Sequence, residues 1–182
     1  MGEPAMATTQ RREKKVPRHT KEDALTELEF ERLYDATFQL KRFTDLEARF
    51  VLVVGGRLGL RRGELSHIEE SWVDWRKGRI NIPHYRHCDK GREYEACASC
   101  RQFAKQKAEY NEHVTYDDAL ETMWSPKTDM AVRSVPFDHS ARAEIVLNEF
   151  FDEFDRWMYS PQAINRRVDS LVEIAGLESN VY

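Results

Sequence analysis

The sequence predicts an α+β fold, mainly helical, with a small antiparallel three-stranded sheet. Three observations lead there. Apolar residues recur at helical spacing in four separate stretches, two short alternating runs flank Lys77-Gly78, and a third such run covers Ala131 to Pro136.

The elements follow in order. Residues 1–23 are polar, carry Arg11, Arg12, Lys14, Lys15 and Arg18, and show no apolar period, so they read as a disordered basic tail. Thr26 and Glu29 have capping-box spacing and open a helix with Phe30, Leu33, Tyr34 and Phe38 on one face. Thr44 and Glu47 repeat that spacing before a second, more apolar helix through Leu46, Phe50, Val51, Val53 and Val54, which ends near Gly55–Gly59. The polar stretch from Arg61 to Glu70 reads as a short helix. Trp72 to Trp75 and Arg79 to Pro83 then form a hairpin. After Pro83 the pattern breaks over about 84–118, long for a loop inside a compact domain. Order returns at Trp124. Asp138 or Ser140 caps a helix bearing Ile145, Val146, Phe150, Phe151, Phe154 and Trp157, with acidic residues outward. Ser160-Pro161 starts the last helix, and Gly176 closes it.

At 182 residues, with 41% hydrophobic and 33% charged residues, the chain can bury one core beneath a heavily solvated surface. A net charge of −4 argues mildly against nucleic acid, although binding needs one basic face rather than a basic total. No apolar run reaches the ~18–20 residues of a membrane span, and the N-terminus has no apolar signal segment. These features predict a cytoplasmic protein without a membrane partner. Three cysteines, Cys88, Cys97 and Cys100, fit metal binding or free thiols better than disulfides.

The most informative segment is Gly59-Leu60-Arg61-Arg62-Gly63-Glu64-Leu65. Two arginines directly after a buried helix need a partner or an anion. The segment resembles the first arginine box of the tyrosine recombinase (phage integrase) family. A second piece, Trp124-Ser125-Pro126-Lys127-Thr128 followed by Arg133-Ser134-Val135-Pro136, resembles the family's lysine hairpin. Ser160 to Gly176 resembles the helix that precedes its His-x-x-Arg box.

The resemblance covers residues 24–182 apart from a Cys/His-containing insertion at about 84–118. It implies site-specific DNA recombination and integration, with strand breakage and rejoining through a phosphotyrosine. Arg61 would take the scissile phosphate as a two-pronged guanidinium, Lys127 would act as general acid toward the departing hydroxyl, and Glu64 would brace the site. Arg61, Arg62, Lys127 and Arg133 would face duplex DNA. Other recombinase protomers would be partners, and the chemistry requires no cofactor.

No His-x-x-Arg follows residue 160, and Tyr182 precedes the place where that box would fall. By this resemblance the chain is the first half of the catalytic domain, and the catalytic set within it is incomplete. A truncated product, a decayed gene product and a short regulator all fit. So do two non-catalytic readings: a DNA-binding or recombinase-regulating remnant, and a zinc-stabilised protein-interaction module.

The insertion holds His84, His87 and Cys88, then Cys97-x-x-Cys100. Cys-x-x-Cys forms half of many tetrahedral zinc sites. Cys88 and either His87 or His84 would complete a Cys3His set around a structural zinc. Three free thiols in a surface loop is the other reading.

Overall fold

The computed structural model describes residues 25–126 and 131–177. Its elements are α1 (Glu27–Thr37), α2 (Thr44–Phe50), α3 (Arg62–Leu65), β1 (Val73–Asp74), β2 (Arg79–Ile82), α4 (Ala98–Tyr110), α5 (Tyr116–Glu121), β3 (Arg133–Pro136), α6 (Ala141–Glu153) and α7 (Pro161–Ala175). The three strands form one antiparallel sheet in the order β1-β2-β3. The expected α+β architecture is therefore present. Among the described residues no helix is long and apolar enough to cross a membrane.

Local chemistry explains most boundaries. Thr26 and Glu29 form the expected reciprocal capping box at α1. Ser140 caps α6 by accepting from the Ala143 amide. Ser160, Pro161 and left-handed Gly176 bound α7 as read. Gly78 adopts φ 55° between β1 and β2, where a Cβ would lie 2.6 Å from that of Asp138. Only glycine suits that turn.

Two expectations change. Glu47 makes no capping box with Thr44, because α2 begins without a side-chain cap and Glu47 points inward. There it accepts from Nε and Nη2 of Arg167 at 2.8 and 2.5 Å, joining α2 to α7. The second helix also does not stay α-helical. Beyond Phe50 it widens into a π-helical segment, Val51–Arg57, with Val51 to Val54 buried.

The main core lies between α1, α2, α6 and α7. Phe50 stacks on Phe150 with ring centroids 3.7 Å apart, and Phe151 and Trp157 surround the pair. The insertion is helical, with α4 packed on α5. Ion pairs Arg86–Glu69 (2.7 Å) and Arg156–Asp89 (2.6 Å) fasten its first residues to the body.

Phe50 is fully buried and Ile145 is 55% exposed, which sets a contrast. Phe50→Ala should lose about 3–5 kcal/mol by chemical denaturation. Ile145→Ala should stay within about 0.5 kcal/mol. Equal losses would contradict this placement of the core.

Candidate functional site: a Cys3His cluster beside a braced arginine

Helix α3 is a single turn with polar side chains tied down at both ends. At its start, Gly59 (φ 71°) turns the chain out of the π-helical segment. The Arg61 amide then donates to Glu64 Oε2 at 2.8 Å. Glu64 is 2% exposed and must be paired. Arg133 of β3 pairs with it, Nη1 to Oε1 at 2.7 Å and Nη2 to Oε2 at 2.9 Å. The same guanidinium donates to the carbonyls of Ala131 and Gly59. Its pairing with Glu64 lifts its pKa above the ordinary arginine value, against a smaller opposing effect of burial.

Arg133 thus braces Glu64 rather than offering a free guanidinium to a ligand. Arg61 and Arg62 are exposed, and among the described residues neither side chain has an ion-pair partner. Lys127 lies outside the described residues. Of the residues expected to form the phosphate site, the structure brings together Arg61, Glu64 and Arg133.

At the other end of α3 stands a cluster that the sequence indicated only in part. His67, Cys88, Cys97 and Cys100 place their ligand atoms within 4.8 Å of one another and could hold a metal ion. His67 Nε2 lies 3.2 Å from Cys100 Sγ and 3.6 Å from Cys97 Sγ. Cys97 is the N-cap of α4 and Cys100 sits in its first turn, so the helix itself aims both sulfurs at one point. Cys88 comes from the chain that pairs with Met123 and Trp124 through Cys88 N to Met123 O (3.0 Å) and Arg86 N to Trp124 O (2.7 Å). Its Sγ accepts from the Cys97 amide at 3.4 Å.

The fourth position belongs to His67, where the sequence reading expected His87 or His84. Both of those are exposed in the loop before Cys88 and stand outside the cluster. The physical reason is anchorage: a ligand from the main body attaches the insertion, whereas one from the insertion would close it only on itself. The available signal was His67 between Leu65 and Ile68, a polar residue where the chain turns inward.

The state of His67 follows from its neighbours. The Gly63 carbonyl, 2.9 Å from Nδ1, can only accept, so Nδ1 carries the proton and Nε2 turns its lone pair toward the sulfurs. Ligating histidines commonly show this arrangement. Trp124 stacks on the ring at 5.3 Å, and Trp72 stacks on Trp124 at 5.4 Å.

Without metal, burial opposes a charge on His67, yet Cys88, Cys97 and the Gly63 carbonyl together raise its pKa above the ordinary value. Hydrogen bonds from Cys100 and Cys88 hold the Cys97 thiol well below its usual range, favouring the thiolate that binds metal. Burial draws Lys90 down to about 8, against the pull of the three sulfurs. Its Nζ donates to the carbonyls of Ser66 and Tyr159. A cleft of about 230 Å³, lined in part by Lys90, Cys97, Ser99 and Tyr159, gives solvent a path to the cluster.

Comparison with family models, curated proteins and solved structures finds no match for this chain.

The brace generates a test of its own. Arg133→Ala leaves a buried carboxylate unpaired and should cost about 3–5 kcal/mol by urea denaturation. Adding Glu64→Gln removes the stranded charge and should recover part of the loss. A double variant no more stable than Arg133→Ala would show that the pair is not the brace.

Proposed function

We propose that this chain is a zinc-stabilised module that binds duplex DNA through Arg61, built on the first half of a tyrosine-recombinase-like catalytic domain. The observation that carries the reading is the Glu64 brace. A buried carboxylate is satisfied entirely by Arg133 and the Arg61 amide, leaving the Arg61 guanidinium exposed beside it without a described ion-pair partner. A planar guanidinium held at its backbone and exposed at its tip suits a backbone phosphate. The resemblance of Gly59-Leu60-Arg61 and of Lys127-Thr128 to the recombinase boxes supports the same ligand.

Arg61 supplies a phosphate contact, and the proposal is confined to that contact; strand cleavage would further need a nucleophile in line with the phosphate and more donors around it. Zinc suits the other end of α3. Three thiolates and a neutral imidazole form a closed tetrahedral set, which is structural rather than catalytic. The bound ion would carry a net charge of about −1, with the Lys90 ammonium close by to offset it.

A second reading, a protein-interaction module, is favoured by exposed Phe103 and Tyr110 on α4.

Purified protein should hold about one zinc per chain and lose it to a chelator or on acidification, since protons compete for all four ligands. Less than about a tenth of an equivalent would overturn the metal assignment. Zinc-loaded protein should bind duplex DNA in a salt-sensitive way. Arg61→Ala should weaken that binding about 10- to 100-fold and lower the salt slope by about 1. No duplex binding at low salt, together with capture of a protein partner lost on Phe103→Ala, would favour the second reading.

A further inference from the structure

We propose that the metal centre is the positioning device for Arg61, so that metal occupancy and phosphate binding are coupled through α3. The inference rests on the zinc and phosphate readings above and adds the regulation of that site.

The four residues of α3 make one turn, too short to hold its own orientation in water. Its direction is set by what grips its ends. Arg61 and His67 stand at opposite ends of one continuous hydrogen-bonded stretch, roughly 9 Å apart at helical rise. Leu65 N bonds Arg61 O (2.9 Å), Ser66 N bonds Arg62 O (3.0 Å) and His67 N bonds Glu64 O (3.0 Å).

The last bond is of tighter pitch and leaves the Gly63 carbonyl without its backbone partner. The His67 ring and the Ser66 hydroxyl occupy it instead, at 2.9 and 3.0 Å. The imidazole therefore works as a rigid bar. One nitrogen holds a carbonyl inside α3, and the other faces three sulfurs.

Metal changes the stiffness of that bar. Without it, His67 meets the sulfurs through contacts of 3.2 and 3.6 Å. With zinc, a bond of about 2.0 Å would fix Nε2 to an ion that is itself held by α4 and the Cys88 loop. A second link from the same loop, Lys90 Nζ to the Ser66 carbonyl, grips the end of α3 and reaches on to Tyr159 ahead of α7. Trp124, stacked on the ring, lies close above Gly63, where an added Cβ would be 3.7 Å from its Nε1. Tightening His67 therefore tightens the turn that begins at Arg61. His67 is a positioning residue for the phosphate contact and does not touch the phosphate.

The test has two arms. In wild-type protein at low salt, duplex affinity is measured by fluorescence anisotropy across buffered free Zn²⁺, and zinc affinity is measured with and without duplex. Zinc should tighten duplex binding about tenfold or more, and duplex should tighten zinc by the same factor. In the second arm, His67→Gln and Cys97→Ser each remove one ligand and are compared at saturating zinc. Serine is a favourable N-cap for α4, so Cys97→Ser keeps that helix start and leaves His67 on the ion.

His67→Gln should lose about tenfold or more in duplex affinity, and Cys97→Ser less than about threefold. Equal losses, or duplex affinity independent of zinc, would overturn the coupling while leaving the zinc and phosphate readings in place. Failure of zinc-loaded wild type to bind any duplex would overturn the phosphate reading and the coupling with it. If His67→Gln does not fold, the wild-type linkage arm decides alone.

Discussion

A carboxylate withdrawn from water costs several kcal/mol unless donors replace the water it lost. Glu64 sets that requirement at the centre of this molecule. Its two oxygens draw in the Arg133 guanidinium from β3 and the backbone amide of Arg61. One side chain thereby fixes the sheet against α3, closes the chain at Gly59 through the carbonyl that Arg133 also reaches, and sets the start of α3. The exposed Arg61 tip is a consequence of this arrangement: its amide is held while its guanidinium projects outward.

The far end of α3 is governed by a softer set of atoms under the same logic. Thiols and an imidazole that converge within 4.8 Å in a buried place make a poor core without an ion and a good one with it. The cluster joins the insertion to the body at the residue where α3 ends. Arg86–Glu69, Arg156–Asp89 and Lys90 add charged fasteners around it. The insertion is thus built into the fold, and it leans on the same short helix that presents Arg61.

Features governed by local rules could be read from the sequence. The Thr26 capping box, the Ser160-Pro161 start and the Gly176 stop depend on neighbours a few residues away, and each stands where the pattern puts it. Features governed by partners distant in the chain could not. Thr44 and Glu47 have cap spacing, but Glu47 is claimed by Arg167, 120 positions on, and an ion pair with a buried carboxylate outweighs a surface cap. Arg133 read as a surface contact for DNA because nothing in a β-strand pattern shows that a carboxylate 69 positions earlier will bury itself against it. The three cysteines were visible by type and spacing. Their histidine was not, because ligand choice depends on which residue the body turns toward the insertion. The insertion shows no apolar period in the sequence because its helices α4 and α5 are polar on most faces and gain order from the cluster and from each other.

One short helix carries a braced arginine at its start and, at its end, a histidine of a cluster that could hold a metal ion. X-ray absorption at the zinc edge of the loaded protein should show three sulfurs at about 2.3 Å and one imidazole nitrogen at about 2.0 Å, with the nitrogen shell lost in His67→Gln and kept when His84 and His87 are both replaced. A nitrogen shell that survives His67→Gln and disappears with His87 or His84 would contradict this arrangement, since the metal would then close the insertion on itself and leave α3 untouched.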